Sequence, residues 1–388
     1  MRRHLSSPGP LLIEATCNQV NQSGGYTGMK PGDFRDLVHG VASRAGFPVG
    51  RILLGGDHLG PFPWQHLPAS QAMASAREMV SLFVHEGFCK IHLDASMACA
   101  DDPRPLPDQM IAERAADLCA EAERNSNGAA LAYVIGTEVP TPGGAVDEMQ
   151  VAVTAPEAAE RALQLHREAF SRHGLNRAWD RVIALVVQPG VEFTHEAVQD
   201  YEPAKAVQLV NLLGQNPGLV FEAHSTDYQR PQGLAALVRD GFLVLKVGPA
   251  LTYAMRQALF GLAAIEAECL PSVQRSRLPE RVEEVMLEHP EHWHKHYSGT
   301  PEELHCLRIH SYSDRIRYYW AYPQVQGSVE TLIGNLSQLV IPETLLSDYF
   351  PAQYVKFRAG EMVSKPLALI LDVIGNALDP YLAACEAR

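Results

Sequence analysis

The sequence has no C-x-x-C pair. Its seven cysteines, Cys17, Cys89, Cys99, Cys119, Cys269, Cys306 and Cys385, are scattered and odd in number. That excludes a disulfide framework or a structural zinc knot and fits reduced thiols whose default role is packing. Positive charge is short too, with 32 Lys plus Arg against 45 Asp plus Glu and a formal net charge of −13. A surface so biased repels a phosphate backbone, so no nucleic-acid partner is expected. Long apolar runs are also missing near the start. MRRHLSSPGPLLIEAT begins basic, but Glu14 interrupts its apolar run below the length of a signal peptide or membrane span. The expectation is a cytoplasmic protein with no membrane partner. With 46% hydrophobic and 20% charged residues, disorder is not a main theme.

What is present is an alternation. Short apolar runs occur at LLIEAT, RILLGGDH, CKIHLDAS, ALAYVIGTEV, VIALVVQPG, GLVFEAHS and LVLKVGP. Each is too short for a typical helix, and such Val/Ile/Leu-rich runs suit parallel strands covered on both faces. Between them, stretches such as FRDLVHGVASRAG, QAMASAREMVSLFVHEG and PEAAERALQLHREAFSRHG repeat apolar residues every three or four positions and mostly stop at Gly or Asn. These are crossover helices, and the class is α/β. A chain of 388 residues leaves room for two or three units or one large domain with an appendage.

Most of the strands end in polar or ionisable groups: Asn18 and Gln19, Asp57 and His58, His92 and Asp94, Glu138, Gln188, Glu222 and His224, and Lys246. A doubly wound sheet does not require this, whereas a (β/α)8 barrel collects its chemistry at the C-terminal ends of its strands. A lone His or Asp is more often a helix cap or a satisfied polar group. So many at corresponding positions favour one pocket. Oxygen and imidazole donors without thiolate suit a divalent Lewis acid, zinc foremost, with Asp57 beside it for acid–base chemistry.

Three other features have bland alternatives. GGYTG, Gly24 to Gly28, is a lone Gly-rich loop that reads as a turn bordering the pocket. His289, His292, His294 and His296 do not share one helix face and read as a solvated loop with Trp293 and Tyr297 tucked inward. In SYSDRIRYYW, Arg315 or Arg317 reaches a substrate phosphate or carboxylate, or else both belong to an arginine–aromatic packing stripe.

The strings IEATCNQVNQSGGYTGM, LLGGDHLGPFPWQ, KIHLDASM, YVIGTEVPTPGGA, FEAHSTDYQ, LKVGPALTYAMR and SYSDRIRYYW together resemble the GatZ/KbaZ family, the non-catalytic subunit of class II tagatose-1,6-bisphosphate aldolase, with related hexulose-phosphate 4-epimerases. The resemblance implies a TIM (β/α)8-type barrel similar to class II aldolases. It further implies a sugar-phosphate substrate, a class II aldolase catalytic subunit as partner, and a homo- or hetero-oligomer. Only ten residues precede Leu11, too few for the family's first strand and crossover helix. The barrel is therefore expected to lack its first βα unit, unless LHCLRIHSY near Leu304 fills the gap. The barrel is expected over 1–270 and a helical C-terminal appendage over 271–388.

By the same resemblance Asp57 matches the proton-transfer aspartate, His58 the adjacent metal-binding histidine, and His224 the last histidine ligand. Gln188 stands where an aldolase places its middle histidine. The expected assignment is Asp57 and Glu138 as catalytic, and His58, His224 and Gln188 as metal ligands. Asn18, Gln19, His92, Asp94, Glu222, Lys246 and Arg315 are expected to bind substrate. An older family label, tagatose-6-phosphate kinase, finds no support in the motifs, since no G-x-x-x-x-G-K-[ST] string occurs. Two functions stay open: a metal-dependent ketohexose-phosphate 4-epimerase or aldolase-type enzyme, and a non-catalytic subunit that stabilises an aldolase.

Overall fold

The computed structural model describes residues 1–137 and 151–386. The strands are β1 (Leu11–Thr16), β2 (Ile52–Leu59), β3 (Lys90–Leu93), β4 (Ala132–Ile135), β5 (Val182–Val186), β6 (Glu192–Phe193), β7 (Val198–Gln199), β8 (Val220–Ala223) and β9 (Phe242–Leu245). Seven form one parallel sheet in the order β1-β2-β3-β4-β5-β8-β9, while β6 and β7 make a small antiparallel hairpin. Parallel neighbours need crossovers. Most of these are helical: α1 (Pro31–Ala45), α2 (Ala69–His85), α3 (Asp108–Asn125), α4 (Pro156–Arg172) with the short α5 (Asn176–Trp179), α6 (Pro203–Asn211) and α7 (Pro231–Arg239). After β9 come α8 (Pro249–Cys269), α9 (Leu278–Glu288), α10 (Pro301–His310), α11 (Pro323–Ser337), α12 (Glu343–Tyr349), α13 (Pro351–Arg358) and α14 (Pro366–Glu386).

The sheet curls into an open barrel. Its edge strands β1 and β9 are not hydrogen-bonded to each other, yet the Lys246 ammonium, just beyond β9, touches the Glu14 carboxylate on β1. The seven expected strands are all present. The eighth candidate is not a strand, because residues 301–310 form α10. Its start is fixed by Pro301 and by a reciprocal cap in which the Thr300 hydroxyl accepts from Glu303 N–H and the Glu303 carboxylate accepts from Thr300 N–H.

Side chains alternate across each strand. Outward residues such as Ile91, Leu93, Tyr133, Leu185 and Phe221 meet the crossover helices in one large core. A second core, from Ala258 to Ile370, joins α8 to the C-terminal helices. Inward residues divide into two kinds. Val134, Ala184 and Val186 make a small apolar plug, whereas Glu14, Asp57, Lys90, His92, Glu222 and His224 point into the rest of the interior.

Helix α14 has a mean hydropathy of 1.4 and is long enough to cross a membrane. In this fold it lies along α7 and α8. Trp293 and Tyr297 are buried, and Trp293 Nε1 donates to the Met286 carbonyl at 2.7 Å.

Candidate functional site

In a regular strand Asp57 and His58 would face opposite sides of the sheet. They do not, because the β2–β3 register shifts between Gly56 and Leu59 and His58 takes a left-handed φ of 51°. Such a bulge re-aims side chains at a strand end. Two residues on, only glycine fits: a Cβ on Gly60 would lie 1.5 Å from the Asp94 carbonyl oxygen. That close approach brings Asp94 to His58, whose Nδ1 is 2.8 Å from the carboxylate.

From β3, Lys90 and His92 point inward with period two. From β8, Glu222 and the following His224 do the same. Lys90 Nζ lies 2.7 Å from Glu14 and 2.6 Å from Glu222, and Lys246 Nζ is 2.9 Å from Asp57. His92 Nδ1 is 2.9 Å from Asp57 Oδ1, and His224 Nε2 is 3.1 Å from Glu222 Oε1. The rings of His58, His92 and His224 close a triangle with centroids 4.8 to 5.6 Å apart.

Burial works against every charge here, and the neighbours decide which charges survive. Although burial opposes ionisation of Asp57, the Lys246 and His58 charges and the His92 hydrogen bond hold its carboxyl well below the usual range. Glu222 is held down likewise, against burial, chiefly by Lys90 and Lys246. Asp94, bonded to His58, sits at about 2 despite its burial. Burial lowers His58, but Asp57 and Asp94 outweigh it and raise the imidazole. His224 is lowered to about 4, mainly by burial, and is neutral near pH 7.

Asp57, His92, Glu222 and His224 offer four ligand atoms within 4.8 Å of one another, and all four residues are buried. The set suits a divalent cation on two counts. His92 Nε2 is buried with no hydrogen-bond partner among the described residues, and in the tautomer whose Nδ1 proton faces Asp57, at 2.9 Å the shorter of the two contacts at Nδ1 beside the 3.3 Å one from His58 N–H, that nitrogen is a bare lone pair. The site also holds four carboxyl groups (Glu14, Asp57, Asp94, Glu222) against two amino groups (Lys90, Lys246). One or two negative charges are left over, according to whether His58 carries a proton.

Of the residues expected from sequence, Asp57, His58, His92, Asp94, Glu222, His224 and Lys246 converge in this cluster. Gln188 is not brought in, because its amide oxygen accepts from Gly190 N–H at 2.8 Å and Val191 N–H at 3.0 Å and so closes its own turn. Asn18 and Gln19 shape the loop after β1: the Asn18 carbonyl accepts from Tyr26 N–H, and Gln19 Oε1 from Thr16 N–H. Glu138 lies outside the described residues. Sequence reasoning missed Glu14 and Lys90. Their signal was period-two spacing, Lys90 two residues before His92, and Glu14 breaking an apolar strand.

Residues 312–319 lie over this mouth. Tyr312 N–H donates to the His195 carbonyl in the hairpin after β5 at 2.8 Å. Tyr228, after β8, donates to the Tyr312 carbonyl at 2.7 Å, and Thr252 at the start of α8 donates to Asp314. Tyr26, after β1, meets Tyr318 edge-on at 4.9 Å. Tyr26 depends on Gly25, whose φ is 54° and where a Cβ would meet the Gln19 carbonyl oxygen at 2.4 Å. Arg315 is in this roof, and its Nη1 donates to the His292 carbonyl at 2.9 Å.

Residues 1–386 match the family model for D-tagatose-1,6-bisphosphate aldolase subunit GatZ/KbaZ-like proteins. A solved structure from Sinorhizobium meliloti, described as a probable tagatose 6 phosphate kinase, is 49% identical. It covers 99% of this chain and 96% of its own, with a TM-score of 0.93. Fructose-bisphosphate aldolase from Campylobacter jejuni aligns over 86% of this chain and 83% of its own at 13% identity and a TM-score of 0.39. Fructuronate-tagaturonate epimerase from Cohnella laeviribosi aligns over 98% and 84% at 14% identity and a TM-score of 0.37.

Proposed function

The chain belongs to the GatZ/KbaZ-like family, and we propose that it is a metal-dependent ketohexose-phosphate enzyme of the 4-epimerase or aldolase type. The observation that carries this reading is the buried Asp57, His92, Glu222 and His224 group. A scaffold gains nothing from hiding such a group, which costs stability unless every charge is paired. Asp57, His92, Glu222 and His224 would hold the ion, zinc being the first candidate. A divalent ion bound there supplies Lewis-acid polarisation of a substrate oxygen.

The chain's own groups divide the remaining work. Asp57 is ionised and so can accept a proton but not give one. His58, fixed through Nδ1 by Asp94, has its Nε2 3.7 Å from Asp57 Oδ2 and can carry a proton beside it. Lys246 faces Asp57, Glu14 and Glu222 and offsets negative charge where a hydroxyl is deprotonated.

Metal analysis of the purified protein, followed by assay with ketohexose phosphates in the absence of any aldolase subunit, tests this reading. Metal at about one per chain and turnover by the protein alone are expected. The double variant His92→Ala/His224→Ala should take up no metal. Unchanged metal content in that variant would sink the proposal. A second reading, a subunit that stabilises a class II aldolase, is favoured by the family's description and by the edges of β1 and β9, which pair with no further strand among the described residues. Protection of a co-expressed aldolase subunit without any turnover would establish it instead.

A further inference from the structure

Arg315 is 7% exposed, and its guanidinium makes no ion pair among the described residues. Nη1 is bonded to a carbonyl, while Nε is buried with no partner. Its neighbours are aromatic or themselves basic: Tyr297, Tyr318 and Tyr319 on one hand, Arg317 on the other. Burial and the Arg317 charge act together to lower its pKa. A buried guanidinium without a counter-ion is costly, and removing it from water is repaid only by an anion with good geometry. In a chain with net charge −13, a buried cation with no carboxylate paired to it is a local excess of the opposite sign.

The position of this excess is informative. Arg317 lies over the Tyr318 ring at 4.6 Å, and Tyr318 in turn stacks on His292 at 5.0 Å and meets Tyr26. Tyr26 belongs to the loop after β1. Arg315 therefore lies in the segment that spans the same mouth that the carboxylates and imidazoles line from below. We propose that Arg315 forms an anion subsite for the phosphate of a substrate whose carbon chain lies on the strand-end cluster. This deepens the reading of the site as a sugar-phosphate centre and rests on it for the direction of the carbon chain. It separates two jobs that one pocket must do: the sheet handles the reacting carbon, and the C-terminal segment recognises the far, charged end.

The test uses the full-length protein with inorganic phosphate as the probe. Titration calorimetry should show phosphate binding to the parent that is weakened about 10- to 100-fold in Arg315→Met, the range for a lost charge-assisted pair of hydrogen bonds. Tagatose 6-phosphate should lose affinity in parallel, while unphosphorylated tagatose and the metal content stay unchanged. Equal phosphate affinity in parent and variant overturns the proposal. Hydrogen–deuterium exchange of the parent needs no variant: phosphate should protect residues 292–319, and no protection there overturns it. A hexuronate bound more tightly than tagatose 6-phosphate overturns the assignment to phosphate. Phosphate held at Arg315 by a protein that turns over no sugar phosphate would sustain the subsite and sink the proposed function.

Discussion

Asp57 and Glu222 inside the sheet, and Asp227 and Asp314 beneath the roof, are equally hidden from water, at 5%, 0%, 3% and 2% exposure. Yet the first two are held ionised and the others are pushed towards the neutral acid. Burial raises Asp227 to about 6 although it accepts from Gly248 and Ala250 N–H groups. Burial takes Asp314 to about 7 in spite of its bond from Thr252. The difference lies in the partners. Lys90 on β3 and Lys246 just after β9 place an ammonium against Glu14, Asp57 and Glu222, whereas the hydrogen bonds to Asp227 and Asp314 come from backbone amides and a hydroxyl, with Arg317 adding a smaller lowering to each. Burial alone would neutralise both sets. Two lysines keep one set charged, and that set is the one assigned to chemistry.

The largest expected effect breaks the comparison at its most reactive member. Asp57→Asn keeps the shape and the contact with Lys246 but removes the base and one carboxylate of the metal group, so turnover should fall at least ~10²- to 10⁴-fold and metal should be held less tightly. A rate equal to the parent's would show that Asp57 is not the proton acceptor. Next in size is Lys90→Met, which removes one of the two ammonium groups that Glu14 and Glu222 share and leaves them to Lys246 alone. Breaking a buried ionic group costs about 3–5 kcal/mol, readable as a lower denaturant midpoint at unchanged slope. Adding Glu14→Gln should restore part of the loss. If Lys90→Met were as stable as the parent, the lysines would not be what keeps the interior carboxylates charged.

A smaller effect is expected at Asp94, which touches the site only through His58. Its carboxylate helps to hold the His58 imidazole above its ordinary pKa. Asp94→Asn should therefore lower the pH at which His58 gives up its proton, read by NMR titration of the ring, with folding and metal content intact. No change would mean that Asp94 does not help to hold the proton on His58.

How much of this was legible in the sequence varied with the range of the interaction. The seven strands and the polar strand ends were readable, because apolar runs of the right length and their terminal residues are local signals. Lys90 and Glu14 were overlooked because a charge in mid-strand reads as an interruption until the barrel interior is known. The bulge at His58 needs a positive φ that no neighbouring residue announces. The mistaken strand near Leu304 was avoidable, since Thr300, Pro301 and Glu303 together spell a helix start. The roof was out of reach: His195 and Ser313 meet across a separation of 118 residues, and no local pattern carries that.

The smallest effect sharpens the comparison from the roof side. Asp314 has a folded-state pKa near 7, against ~3.9 in an unfolded chain. Between those values the native protein holds a proton on this group and the unfolded chain does not. Stability must therefore fall as pH rises through that window, by at most ~1.4 kcal/mol per pH unit from this one group, and level off above about 7. Asp314→Asn removes the titration and keeps an oxygen to accept from Thr252. Its stability, measured by denaturant unfolding at several pH values, should therefore depend less steeply on pH than the parent's between 4 and 7 and should exceed it on the alkaline side. Parallel curves would mean that Asp314 is charged when folded, like Asp57. Arg317 and Arg256, which pull its pKa down from farther away, would then do for the roof what the lysines do for the sheet.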